Sequence, residues 1–382
     1  MLVEFFTRPG TRLRRLPRLA VLAMACMALG GCYYWQAMRG HMQLMGQREP
    51  VADVLADPDT TVKTREQLEF AQQAVDFAHA ELALPDNGSY RQYADTGRPY
   101  LVWNVVAAPE WSLQPRTWCF PVAGCVSYRG YFAEADAREF AARRAAAGDD
   151  VFVGGATAYS TLGKFADPLT NVMLRMPDYR LAGLIFHELA HQQLYIAGDS
   201  AFNESFASAV EEAGIRRWLR EHGDRDGLCR YERWLARRDA VREVLGRGRM
   251  QLEVVYVGTD NVDALAAGKS AAMDNIRADY QALRAVWAGP PFFDGWFGPE
   301  LNNASLAALA TYDQYVPAFA ALLAQQGGDF PAFYAAAEVI GKQDGDARTA
   351  ALEVLGRAAV SAPAPVENCL PVVAAGPGRR SD

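Results

Sequence analysis

Two histidines and a glutamate in the segment His187-Glu188-Leu189-Ala190-His191 are the residues of this chain best suited to chemistry. The histidines are four apart, so on a helix both imidazoles share one face, one turn apart, and can reach one metal ion. Glu188 stands on a neighbouring part of that face, where it can take a proton from a metal-bound water. Zinc is the ion that suits two imidazoles and a carboxylate. It lowers the pKa of its water and polarises a carbonyl, so the expected chemistry is Glu-assisted hydrolysis. The bland alternative is a pair of ordinary helix histidines. Against it, the chain holds only five histidines and two are in this pair. Leu184, Ile185, Leu189 and Leu194 would also bury the back of a helix over 179–195, which Pro177-Asp178 starts.

A catalytic zinc takes three protein ligands. No histidine follows in the next loop, so a carboxylate is needed. Glu204, Glu211 and Glu212 lie on the next predicted helix, 204–221. The loop 198–203 is short, and Gly198-Asp199 favours a tight reversal. An antiparallel return places the start of that helix beside His191, which favours Glu204 as third ligand. Glu211 shares its face but lies about 10 Å along the axis. It is the runner-up ligand, or it accepts a hydrogen bond from a ligand imidazole; simple solvent exposure is the bland reading of Glu211 and Glu212. Asn203 is the expected cap of this helix.

These residues need a scaffold. Helical periodicity runs over 63–83, with Leu68, Ala71, Val75, Ala78 and Leu82 on one face. Residues 100–106 read as a strand, 133–147 as a helix and Val151-Phe152-Val153 as a short strand before Gly154-Gly155. After the metal helix come helices over 204–221 and 228–246. Residues 251–257 are a strand or a continuation of the latter helix. Further helices are expected near 270–288, 305–323, 330–341 and 347–357, and a loose tail from 363. The Arg-rich run 216–238 reads as a solvated face laced with Glu212, Glu221 and Glu232. The expectation is an α+β domain over 61–362: a small mixed sheet, an edge strand before the metal helix, then a mostly helical lobe.

The N-terminus reads as an export signal over 1–31. Five arginines precede the apolar run 19–29, which is followed by Gly30-Gly31-Cys32. The ending Leu29-Gly30-Gly31-Cys32 resembles the lipobox of bacterial lipoproteins. That resemblance implies acylation of Cys32, attachment to a bilayer, a periplasmic face and, with Tyr33 following, the outer membrane. Residues 32–60 would lead in from the lipid. The chain carries a net charge of −7, and losing five arginines and one glutamate with 1–31 brings it to about −11. That argues against nucleic acid as a partner. Of the remaining cysteines, Cys119 and Cys125 suit a local disulfide, and Cys229 with Cys369 follows by elimination.

The Asn203-Glu204-Ser205-Phe206-Ala207 segment resembles the Asn-Glu-x-Phe-Ala motif of single-zinc aminopeptidases among the zincins, with a shorter gap after His191. A closer resemblance is to a bacterial family of exported lipoproteins named aminopeptidases. It is carried by WCFPVAGCVSYRGYF (118–132), GGATAYSTLGKFADPL (154–169), HELAHQQLY (187–195), FNESFASAVEE (202–212) and LNNASLAALATYDQYVPAF (301–319). The resemblance implies a zincin-like fold and a peptide substrate. It also implies pairing of that substrate with the edge strand Val151–Val153. Gly154-Gly155 either let substrate backbone approach or make a turn. Tyr159 and Tyr312 are candidate oxyanion donors, Tyr195 packs near the metal, and Arg129 binds a substrate carboxylate or is surface structure. Asn302 and Asn303 fit the cleft or helix capping equally, while His41, His79 and His222 read as ordinary residues. Rival functions are an endopeptidase or amidase acting on envelope peptides, and a non-catalytic zinc-binding lipoprotein.

Overall fold

The computed structural model describes residues 33–120, 124–158, 160–287, 293–310 and 314–360, the side chains of 310 and 358–360 excepted. It opens with helix α1 (33–46), strand β1 (Glu49–Pro50), helix α2 (Val51–Ala56) and helix α3 (Val62–Ala80). Strands β2 (Gln92–Ala94), β3 (Val102–Pro109), β4 (Trp118–Phe120), β5 (Gly124–Val126) and β6 (Arg129–Tyr131) lead to helix α4 (Glu134–Ala146), strand β7 (Asp149–Ala156) and strand β8 (Leu169–Thr170). The α-helices that follow are α5 (Asp178–Gln193), α6 (Ser200–Glu221), α7 (Arg225–Gly258), α8 (Val262–Ala285), α9 (Asn303–Ala310), α10 (Val316–Gln325), α11 (Phe330–Gly341) and α12 (Gly345–Val360). Small sheets come first and helices after, a mixed α+β organisation.

The periodic face of α3 explains its place. Thr61 caps it by accepting from the Thr64 N–H, and Leu68, Ala71, Val75 and Ala78 are fully buried. They join Ile185, Phe186 and Leu189 of α5 and Phe202, Phe206 and Val210 of α6 in the main core. A second cluster gathers Val241, Val244 and Leu252 of α7 with Met273, Ile276 and Tyr280 of α8.

β3 is the centre of an antiparallel sheet ordered β6-β3-β7, with Val153 opposite Val105 and Val151 opposite Ala107. The segment Val151–Val153 is therefore the middle of an edge strand. Its outer side is marked by the Val151 carbonyl, which accepts from Asn302 Nδ2 at 3.0 Å. By the two-residue period of a strand, the Val153 and Gly155 carbonyls face the same edge. Gly154-Gly155 is not a turn, because neither glycine has positive φ. Aromatic packing accounts for both. A Cβ on Gly155 would lie 2.2 Å from the Tyr100 ring, and one on Gly154 2.7 Å from the Phe152 ring.

Three expectations need correction. Residues 251–257 continue α7 rather than form a strand: Leu252 is buried while Val254 is 73% exposed, so a two-residue alternation fails. The predicted helix over 305–323 is two helices, α9 and α10, and Pro317 in the first turn of α10 marks the restart. The Arg-rich face is not simply solvated. Arg238 donates to buried Glu212 at 2.6 Å, and Arg216 pairs with Glu232 at 2.7 Å, where α6 and α7 pack together. Tertiary pairing of this kind leaves no mark in local periodicity.

Asp149 at the start of β7 has a buried carboxylate that accepts from Arg116 and Arg144. Burial alone would raise its pKa, but the two guanidiniums outweigh that and hold it below the usual aspartate value. A depressed folded pKa means stability that is present above the unfolded pKa and lost as pH falls through the folded one. Asp149→Asn is expected to lower unfolding free energy by about 1–3 kcal/mol at neutral pH, with the difference shrinking below about pH 4. Denaturant midpoints of the two chains across that range check it.

In the β4–β5 hairpin Cys119 pairs opposite Cys125, and their sulfurs are bonded. Cys229 on α7 is also disulfide-bonded. Cys369, its expected partner, and Cys32 lie outside the described residues.

Candidate metal centre

α5 starts after Pro177 and buries Leu181, Ile185, Phe186 and Leu189, which leaves His187, Glu188 and His191 along one side. The chain then reverses at Gly198, whose φ of +83° is the left-handed conformation glycine supplies without strain. α6 returns packed against α5. The expected cap is corrected: Asp199, not Asn203, accepts from the Phe202 N–H and starts the helix at Ser200. Asn203 is buried and clamps the reversal instead. It accepts from the Ile196 N–H at 2.7 Å and donates to the Ile196 carbonyl at 2.8 Å. The clamp fixes the turn of α6 that carries Glu204.

Gly183, one turn before His187, allows the helices to close. A Cβ there would lie 2.5 Å from Ile215 and 3.2 Å from the Glu211 side chain. Glu211 thereby reaches His187, with Oε2 3.1 Å from Nδ1. A carboxylate on Nδ1 holds the proton there and turns the Nε2 lone pair to the opposite side.

His187 Nε2 and His191 Nε2 are 3.2 Å apart. Glu204 Oε2 lies 3.4 Å from the first and 3.8 Å from the second. Donors from His187, His191 and Glu204 all fall within 4.8 Å of one another, so the three could hold one metal ion. Zinc bonds of about 2.0–2.1 Å at a tetrahedral angle separate their donors by about 3.3 Å. The observed spacings fit that test. The donor set, two neutral imidazoles and a carboxylate, is also one zinc accepts.

The electrostatics follow from burial and from this crowding. Burial disfavours a charged His187, but Glu204 and Glu211 outweigh it and raise the imidazole well above its ordinary value. Burial would raise Glu204, yet His191 and His187 hold its carboxyl far below the usual range. Glu188 is raised by burial, with the histidines pulling against it and Glu204 and Glu211 adding to it.

Two groups bordering Glu188 had no signal in the sequence that singled them out. Tyr90 is buried, and burial followed by the Glu188 charge raises its phenol well above the ordinary value. Its φ of +63° is strained for an aromatic residue. The strain is held by its N–H donating to the Asp167 carbonyl at 2.7 Å and by Gln72 donating to its own carbonyl at 2.8 Å. Asp167 is 2% exposed, and its Oδ1 has no hydrogen-bond partner among the described residues. Burial, with the Glu188 charge adding to it, pushes its carboxyl up to about 6 against the Thr161 N–H. Ser89 and Asn87 tie these segments to Gln192, the neighbour of His191.

A family model described as "Putative aminopeptidase" matches residues 32–352. The chain belongs to that aminopeptidase family. No curated protein and no solved structure matches it. The region shared with the aminopeptidase family contains every residue of the centre just described, including Tyr90 and Asp167.

The other candidates lie as follows. Tyr159 and Tyr312 fall outside the described residues. The Tyr195 ring sits edge-on to His191, 6.4 Å between centroids. Arg129 is stacked on Tyr33 and Phe140, 3.9 and 4.8 Å from the ring centres, which makes it part of the scaffold. Asn302 and Ser305 form a reciprocal cap on α9, and Asn303 donates to the Glu110 carbonyl, so both tie α9 to the sheet. Glu212 is engaged by Arg238 rather than exposed. His41 stacks on Phe165, His79 contacts the Leu84 carbonyl and His222 stacks on Trp218, so each is engaged away from the centre.

Proposed function

We propose that this chain is a zinc metallopeptidase of zincin type that removes N-terminal residues from peptides. The observation that supports it most is the convergence of His187 Nε2, His191 Nε2 and Glu204 Oε2 beside Glu188. His187, His191 and Glu204 would hold the ion, and Glu211 keeps His187 in the tautomer that can bind it. When bound, zinc supplies Lewis-acid polarisation of a carbonyl and acidification of a water. Glu188 takes the proton of the attacking water and returns it to the departing amine, a role its raised pKa suits. The free carbonyls of Val153 and Gly155 on the β7 edge can pair with an extended substrate backbone. Tyr159 and Tyr312 stay as proposed oxyanion donors, on the family motifs that carry them.

The exported, lipid-anchored reading belongs to the same proposal. Acylated Cys32 would tether the domain to the periplasmic face of the outer membrane, and the Cys119–Cys125 bridge suits an oxidising compartment. The family name favours an exopeptidase. If that holds, a peptide with a free amino terminus is cleaved at least tenfold faster than its N-acetylated form. Equal rates would point to an endopeptidase or amidase instead.

A further inference from the structure

The helix that follows Cys32 has two apolar faces, and only one is covered. On the inner face Gly40 and Leu44 are buried, with the Phe132 ring so close that a Cβ on Gly40 would lie 2.1 Å from it. Leu44 packs with Ala94, Leu101, Val102 and Phe132. The outer face carries Trp35 (62% exposed), Met38 (53%) and Met42 (65%), three and four residues apart, with Tyr34 beside them. Residues 33–46 contain no aspartate, glutamate or lysine, and the single charge is exposed Arg39. A helix whose outer side meets water carries charge there. Phe165, itself largely exposed, stacks on His41 of the same helix at 4.9 Å and extends the patch, with exposed Lys164 next to it.

We infer that this outer face of α1 is a membrane-docking surface that lies flat in the headgroup region of the bilayer. Aromatic and methionine side chains with flanking basic groups and no acids suit that region, where apolar area and attraction to anionic lipid act together. Among the described residues no helix is long and apolar enough to cross a membrane, so the contact is interfacial. A bilayer is favoured over a second protein because of position. The inference rests on the lipid-anchor reading: a lipid on Cys32 is one residue from the first turn of α1, so the helix starts at the membrane surface. Phe165 belongs to the segment that ends on Asp167 beside Glu188, so docking holds the rim of the metal centre close to the bilayer.

Methionine oxidation tests it with a built-in reference. Met250 on α7 is 60% exposed, close to Met38 and Met42. The acylated full chain is placed in vesicles of phosphatidylethanolamine and phosphatidylglycerol, and the Cys32→Ser chain is kept in vesicle-free buffer. Both are exposed to peroxide and read by peptide mass spectrometry. In buffer all three methionines should oxidise at similar rates. On vesicles Met38 and Met42 should slow about tenfold while Met250 does not. Unchanged rates at Met38 and Met42 on vesicles overturn the proposal. So does protection in buffer that grows with protein concentration, which would mean a protein contact. The mass of the Cys32 peptide in the same digest reports acylation separately, and no step depends on peptidase activity.

Discussion

Glu188→Gln is expected to keep the metal and lose turnover by roughly 10²–10⁴-fold or more. The amide keeps the shape of the carboxylate but cannot accept a proton. Glu188 is not one of the three converging donors, so metal content should not change. Its setting makes it a base rather than a ligand. It stands half-buried beside Tyr90 and Asp167, and its pKa is raised by burial. The loss should fall on kcat, with KM little altered. Metal analysis and peptide kinetics on the same preparation check it, and near-normal turnover would remove Glu188 from the mechanism.

Glu204→Gln should be the most damaging single change to metal affinity among the carboxylates. Its Oε2 is the only carboxylate oxygen grouped with the two imidazole nitrogens among the described residues. Glu211 touches the far nitrogen of His187. Removing a partner of that kind costs about 10–100-fold in affinity or activity, and removing a ligand with its charge costs more. Competition with a chromophoric chelator ranks the two variants. Wild-type affinity in Glu204→Gln beside a large loss in Glu211→Gln would reverse their assignments.

Helical spacing made the placement of His187 and His191 legible from residue order alone. The brevity of the loop through Gly198 did the same for Glu204 and Glu211, because a short reversal leaves little choice about which turns face each other. The cap was misread because α6 begins at Ser200, one turn before Glu204, which hands capping to Asp199 and frees Asn203 for the reversal. Glu212 and Arg238 looked solvated because their pairing spans 26 positions and two helices. Tyr90 had no local signal at all. Its backbone is held by Gln72 of α3 and by Asp167, contacts that exist only in the folded chain. Asp167 lay within a quoted stretch, but nothing in its spacing told a buried carboxylate from an exposed one. The strands were legible in type, and the edge position of β7 needed the pairing with β3 to be seen.

The measurement that bears most directly on the central claim is hydrolysis of a peptide library by the metal-free chain as zinc is added. Products are read by mass spectrometry, with bound zinc measured in parallel. No cleavage is expected without metal. Cleavage should rise with bound zinc and level off at one ion per chain. Cleavage by the metal-free chain, or none once one zinc is bound, would contradict the account.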